Sequence, residues 1–305
     1  MNIMFMGTPD FALESLKKLY EKGYNVTSVV TRSDKQQGRD MKVVMPPVKE
    51  FALEKGLNVY QPESLKNGEL KEVLDKEKPD LIIVVAYGKI LPKYVLDYPR
   101  YGCINLHGSI LPKLRGSAPI QWSVINGDKF AGATTMFMDE GLDTGDIIDV
   151  YKTEIGETET AGELFDRIAV EGAELLAGTV EKIKAGTATR TKQNEAEATY
   201  APMLEKSMGK ICFDRSAREI YNQIRGLNPW PVAYAQTNKG ILKVYSATVT
   251  EETLVGTPGK ILENKKALIV QTGKGRLELK EVQLQGKKRM KAEDFLRGAG
   301  DICFI

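Results

Sequence analysis

Leu81-Ile82-Ile83-Val84-Val85 is an apolar run with no polar interruption and mostly β-branched side chains. A strand with one wet face alternates polar and apolar residues, whereas an unbroken apolar strand is buried on both faces, as inside a parallel sheet covered by helices. The flanking patterns agree. Asn2–Met6 is a short apolar run ending at Gly7, and Pro9–Lys22 follows with Phe11, Leu13, Leu16, Leu19 and Tyr20 at roughly helical spacing until Gly23. Tyr24–Thr31 predicts a strand, Val48–Lys55 a helix closed by Gly56, Leu57–Tyr60 a strand and Asn67–Glu77 a helix. Beyond the central run, Tyr101–Leu106 predicts a strand and Ala118–Ile125 a helix. This alternation predicts an α/β fold with an open, doubly wound parallel sheet. Residues 32–47 are polar and basic, end in Pro46-Pro47, and predict a long loop.

Ala133–Met138 and Ile147–Thr153 predict two further strands, and Thr160–Ala185 the longest helix, with Leu164, Ile168, Leu175, Leu176, Val180 and Ile183 on one stripe. Gly186–Thr199 is polar and reads as a linker. The chain then changes character. Ser216–Arg225 predicts a short helix closed by Gly226, and Asn228-Pro229-Trp230-Pro231 follows it. Ala233–Thr237, Leu242–Val249, Gly259–Glu263, Ala267–Thr272 and Gly275–Gln283 are short alternating runs between Gly and Asn turns, the pattern of a small β-barrel. The chain of 305 residues is long enough for two cores. The boundaries that follow are a first domain at 1–188, a linker at 189–206 and a β-barrel domain at 207–305.

Hydrophobic residues at 42% and charged residues at 28% exclude global disorder. No apolar run approaches bilayer length, and no basic segment leads into an apolar stretch at the N-terminus, so neither a membrane span nor a secretory signal is expected. The three cysteines, Cys103, Cys212 and Cys303, are far apart and without metal or disulfide spacing, which suits a reducing cytoplasm. From Ser207 onward 17 Lys/Arg face 10 Asp/Glu, a net of +7, which leaves −5 for residues 1–206 in a chain of net +2. A basic second half suggests a polyanionic partner, although lysine-rich surfaces also serve solubility.

The chain has a single histidine, in Cys103-Ile104-Asn105-Leu106-His107-Gly108-Ser109. That count excludes multi-histidine metal sites. Side chains alternate along a strand, so Asn105 and His107 share a face while Leu106 takes the other. Both fall at the strand's carboxyl end, the edge where open α/β sheets bind ligands. An amide donor beside an imidazole suits acyl transfer, in which an oxyanion must be held and a proton moved. The segment Asp139-Glu140-Gly141-Leu142-Asp143-Thr144-Gly145-Asp146 is rich in turn residues, and one of its aspartates is placed to orient the imidazole. Metal binding through these carboxylates is disfavoured without a second histidine. Other chemistries lose ground. Gly7-Thr8-Pro9-Asp10 lacks the later glycines of a dinucleotide fingerprint, and no phosphate loop or nucleophile elbow is present. Cys103 sits among apolar neighbours, as a buried, unreactive thiol would.

Asn105-Leu106-His107-Gly108-Ser109, Leu111-Pro112-Lys113-Leu114-Arg115-Gly116-Ser117-Ala118-Pro119-Ile120 and Leu142-Asp143-Thr144-Gly145-Asp146, in this order and spacing, resemble the 10-formyltetrahydrofolate-dependent formyltransferases. The resemblance runs from Asn2 to about Lys184. It implies a Rossmann-like catalytic domain, 10-formyltetrahydrofolate as co-substrate and no metal. It implies catalytic roles for Asn105, His107 and Asp143, and a folate-contacting loop at Ser109, Ile110, Leu111 and Pro112. Which of His107 and Asp143 takes the proton directly stays open. Gly38-Arg39, Pro46-Pro47-Val48-Lys49, Leu227-Asn228-Pro229-Trp230-Pro231 and the basic second domain, similar to an oligonucleotide-binding barrel, imply that the acceptor is methionine esterified to the initiator tRNA, for translation initiation. Lys35, Arg39 and Lys42 in the early loop, and Lys287, Lys288 and Arg289 in the densest basic cluster, are the expected tRNA contacts. A cytoplasmic monomer is expected. Two other readings compete: the same chemistry on an amino-sugar nucleotide, and a non-catalytic RNA-binding protein on an α/β scaffold.

Overall fold

The computed structural model describes residues 1–37, 42–263 and 265–305. The chain divides into two compact units. The first comprises Met1–Pro119, Ala131–Thr153 and Phe165–Ala201; the second comprises Ile120–Phe130, Glu154–Leu164 and Pro202–Ile305.

In chain order the first half runs β1 (Ile3–Gly7), α1 (Asp10–Glu21), β2 (Val26–Val30), β3 (Lys35–Gln37), β4 (Lys42–Val44), α2 (Pro47–Glu54), β5 (Asn58–Tyr60), α3 (Lys71–Glu77), β6 (Leu81–Val85), α4 (Lys93–Leu96) and β7 (Cys103–His107). It continues with β8 (Arg115–Gly116), α5 (Pro119–Asn126), β9 (Phe130–Phe137), β10 (Ile147–Glu154) and α6 (Ala161–Ala185). Among the described residues the main sheet has the order β10-β9-β7-β6-β1-β2-β5. Its strands from β7 to β5 pair in parallel. β9 departs from the all-parallel expectation by running antiparallel to β7, with Asn105 opposite Met136 and His107 opposite Thr134. The chain re-enters the sheet from the same edge at which β7 leaves it, with His107 opposite Thr134, so the two strands run in opposite directions.

Every residue of β6 is buried, as its unbroken apolar run requires. Alternate residues supply different sides of the sheet. Met4, Met6, Ile82, Val84 and Cys103 belong to one cluster with Leu70, Leu74 and Val95. On the opposite side α1 and α6 meet through Phe11 and Phe165, whose ring centroids lie 5.3 Å apart. Leu106 reaches α6 there: a Cβ on Gly172 would stand 3.2 Å from its side chain. Cys103, Asn105 and His107 alternate with it, so the strand passes from a buried thiol to two polar groups along one face.

Within 32–47, β3 and β4 pair antiparallel with Lys35 opposite Val44, a correction to the loop expectation for that segment. Three-residue strands are too short for alternation to mark them in a polar sequence.

The second unit contains α7 (Ala217–Gly226), β12 (Ala233–Thr237), β13 (Gly240–Glu251), β14 (Ile261–Glu263), β15 (Leu268–Gln271), β16 (Arg276–Leu284), β17 (Met290–Lys291) and α8 (Ala292–Ala299). Its antiparallel sheet follows β12-β13-β16-β15-β14, with β17 also paired to β16. Register shifts at Val244, Ser246 and Val249 interrupt the pairing of β13 with β16, and such bulges bend a strand. Ile220 and Ile224 of α7 and Phe295 of α8 share a core with Val244, Val270, Leu279 and Val282. α7 opens with a capping box: the Ser216 hydroxyl accepts from the Glu219 N–H, and the Glu219 carboxylate accepts from the Ser216 N–H at 2.9 Å. Among the described residues no helix is long and apolar enough to cross a membrane.

Candidate active site

β7 delivers Asn105 and His107 to the carboxyl edge of the first unit's sheet, on the face where alternation predicts them. His107 is 6% exposed. Its Nε2 lies 2.9 Å from the carbonyl oxygen of Leu114. A carbonyl only accepts, so Nε2 carries the proton and donates it. In the neutral ring the lone pair is then on Nδ1, and Nδ1 faces Asp143 Oδ2 at 3.6 Å. The Asn105 side chain is half-buried and has no hydrogen-bond partner among the described residues, so its amide is available to a ligand.

Asp143 is held through both its side chain and its backbone. Its Oδ2 accepts the Gly116 N–H at 2.8 Å, and its carbonyl accepts from Gln193 Nε2 at 2.8 Å. Its φ of 54° places it in the left-handed region, which aspartate tolerates better than most residues. The turn around it is fastened by Asp139, whose Oδ1 accepts from the Gly141 N–H at 3.0 Å and the Thr144 hydroxyl at 2.6 Å. Gly145 has no room for a side chain, since a Cβ there would lie 1.7 Å from the Phe137 carbonyl oxygen.

Between β7 and β8 the chain forms the loop assigned to folate by resemblance. The Ser109 hydroxyl donates to the Lys113 carbonyl at 2.6 Å, closing the loop on itself. Thr134 of β9 pins it twice: its hydroxyl donates to the Ser109 carbonyl at 2.6 Å and accepts from the Leu111 N–H at 3.2 Å. Leu111 is buried, while Ile110 and Pro112 keep partly exposed surface. Ser109 and Leu111 therefore shape the loop, and Ile110 and Pro112 contribute its accessible surface.

The stretch after α6, read from composition as a linker, is bound tightly to this site. Arg115 is 1% exposed and its guanidinium is fully engaged. Nη1 and Nη2 donate to Glu195 at 2.9 and 2.7 Å, while Nε and Nη2 donate to Gln193 Oε1 at 3.2 and 2.8 Å. The Thr199 hydroxyl accepts from the Leu114 N–H at 2.9 Å, and β11 (Tyr200–Ala201) pairs in parallel with β8. Sequence reading missed Thr134, Arg115, Gln193 and Thr199, because each acts through partners remote in the chain. Cys103 is buried, with its thiol pushed up to about 12 by desolvation, and it takes no part in the site. Among the described residues no group of carboxylates, cysteines and histidine has the makings of a metal site.

The remaining predicted positions lie elsewhere. Lys35 is exposed on β3, Arg39 falls outside the described residues, and only the backbone of Lys42 is described. In the second unit Lys287 and Lys288 are exposed on the turn from β16 to β17, where the Lys287 N–H donates to the Leu284 carbonyl at 2.9 Å. Arg289 beside them is already committed: it pairs with Glu281 and lies over the Tyr245 ring, 4.1 Å from its centroid.

The formyl transferase family matches residues 1–180, and the formyl transferase C-terminal domain matches residues 203–300. Methionyl-tRNA formyltransferase of Agathobacter rectalis is 51% identical over 299 residues, covering 98% of this chain and 96% of that protein. The chain belongs to the methionyl-tRNA formyltransferase family. The protein of the same name from Acetivibrio thermocellus is 48% identical over 300 residues, with 98% and 96% covered. The fold is shared more widely. An N-formyltransferase from Helicobacter canadensis, solved with folinic acid and dTDP-3-aminofucose, superposes with a TM-score of 0.69 at 22% identity, over 91% of this chain and 98% of that one.

Proposed function

We propose that the protein transfers the formyl group of 10-formyltetrahydrofolate to the free amino group of initiator methionyl-tRNA, as a cytoplasmic monomer, for translation initiation. The folate supplies the formyl group on its N10 and departs as tetrahydrofolate. The α-amine forms a bond to the formyl carbon, the bond from that carbon to N10 breaks, one proton leaves the amine and one reaches N10. The chain's own residues serve each of these needs. The free Asn105 amide donates to the oxygen that gains charge as the carbon becomes tetrahedral. His107 takes the amine proton on Nδ1, because Nε2 is already occupied by the Leu114 carbonyl. Asp143 stabilises the imidazolium so formed, and His107 returns the proton to N10. His107 is thus the immediate base and Asp143 its electrostatic partner.

The observation that carries this reading is the 3.6 Å approach of Asp143 to the one histidine nitrogen left without a proton, beside an amide with no partner among the described residues. The partly exposed surfaces of Ile110 and Pro112 supply an apolar contact suited to the flat folate ring system, over a loop that Ser109 and Leu111 hold in shape. Lys35, Arg39 and Lys42 are assigned to the acceptor end of the tRNA, and Lys287, Lys288 and Arg289 to its phosphates.

The decisive experiment measures formyl transfer from 10-formyltetrahydrofolate to charged initiator methionyl-tRNA, with elongator methionyl-tRNA in parallel. Rapid formylation of the initiator alone is expected. Folate binding without transfer to either would overturn the acceptor and leave small amines such as amino-sugar nucleotides.

A further inference from the structure

We propose that Gln193 is a positioning residue for the transfer, acting through Asp143; this rests on the role given to Asp143 above. The orientation of its amide is fixed by its surroundings. Oε1 faces two nitrogens of Arg115, which only donate, and Nε2 faces the carbonyls of Asp143 and Gly145, both at 2.8 Å, which only accept. Gln193 therefore spans from a buried guanidinium to the backbone on both sides of Thr144. Arg115 is itself anchored by the two oxygens of Glu195, so the amide has no freedom to rotate away.

The consequence falls on one carboxylate. Asp143 sits in the left-handed region at φ 54°, a conformation that costs free energy for a non-glycine residue and persists only where its surroundings enforce it. The two N–H bonds from Gln193 grip the backbone of the turn at Asp143 and Gly145, while the Gly116 N–H fixes the side chain. Arg115 and Gly116 are consecutive residues. The same short strand thus holds the backbone of Asp143 through Gln193 and its carboxylate through Gly116, and together they set the 3.6 Å distance to His107 Nδ1. A segment that composition marks as a connector supplies the third side of the carboxylate's frame.

Two substitutions separate the donors from the anchor. Gln193→Glu keeps an oxygen for Arg115, adds charge to that contact and removes both N–H donors. Gln193→Met keeps the volume, adds no charge and removes donors and acceptor together. Positioning through the donors predicts that both lower kcat, roughly 10- to 100-fold as expected when a reacting group is misplaced by about 1 Å. KM for folate and for methionyl-tRNA should stay near wild type. A loss in Gln193→Met alone would reduce Gln193 to an anchor for Arg115, and a loss in Gln193→Glu alone would be an effect of charge; either overturns the proposal. Asp143→Asn serves as reference, and adding Gln193→Met to it should cost little more, since the two act on one group. Near wild-type turnover in Asp143→Asn would instead overturn the reading of Asp143. Full turnover in both Gln193 variants, with Asp143→Asn impaired, would overturn only the role of Gln193.

Discussion

The ring of His107 is tied through Nε2 to the Leu114 carbonyl at 2.9 Å, and this bond, made seven residues along the chain, decides which of its nitrogens faces Asp143. The loop that follows β7 thus sets the tautomer of the histidine that ends it. The chemistry of the site is written into the backbone geometry before any substrate arrives.

His107→Gln keeps a donor for Leu114 and has no titratable nitrogen at the Nδ1 position. Its turnover should fall by roughly 10²–10⁴, the usual worth of a positioned base. Asn105→Ala should lose roughly 10²–10³, as for one oxyanion donor. Pre-steady-state transfer rates at saturating substrates test both, and near wild-type rates in a folded variant would remove either residue from the mechanism.

Gly116 has a φ of 118°, and a Cβ there would lie 2.7 Å from the Ala201 carbonyl oxygen. Gly116→Ala should therefore destabilise the first unit by about 1–3 kcal/mol. It should also slow transfer, because the same N–H holds Asp143. Denaturant melts and kcat, measured on one preparation, should change together.

Glu195 is held below its ordinary value of 4.5 by hydrogen bonding to Arg115. A carboxyl whose pKa is depressed on folding stabilises the fold above its unfolded pKa, and that contribution fades as pH falls through the folded value. Wild type should melt above Glu195→Gln at neutral pH, and the two curves should converge below about pH 4.5. The carboxylate is largely exposed, so the gap should be small. A gap that widens in acid would contradict the assignment.

Lys287 and Lys288 are exposed, whereas Arg289 is paired with Glu281. Replacing Lys288 by Ala should flatten the salt dependence of tRNA affinity by about one unit of logarithmic slope for each phosphate left without its cation. Arg289→Ala should change it less. Binding isotherms at several salt concentrations would show the order, and an unchanged slope for Lys287→Ala and Lys288→Ala would place the phosphates elsewhere.

The parts legible in the sequence are those whose signal is local. The run at Leu81–Val85 revealed a strand buried on both faces, and the alternation of Asn105, Leu106 and His107 placed two functional groups on one side of β7. Ala233–Thr237, read as a strand among Gly and Asn turns, emerges with those limits. What escaped was short or distant. α4 and α8 have four and eight residues, shorter than the window over which a helical period is read. The antiparallel placement of β9 depends on which edge the chain returns to, and no residue in β9 records that. Gln193 lies 78 positions from Arg115, and nothing in the polar run around it marks one glutamine as different from its neighbours.

The return of residues 193–201 to β8 has a bearing on how this protein can be divided. Family similarity to the catalytic half ends at residue 180, and α6 ends at Ala185, which together invite a cut just beyond the helix. A fragment ending there would strip Arg115 of every counterpart for its guanidinium, and β8 of its pairing strand. Any catalytic fragment that keeps this frame must extend at least through Ala201. Gene fusions, split reporters and limited-proteolysis maps built on this chain should place their seam after that residue.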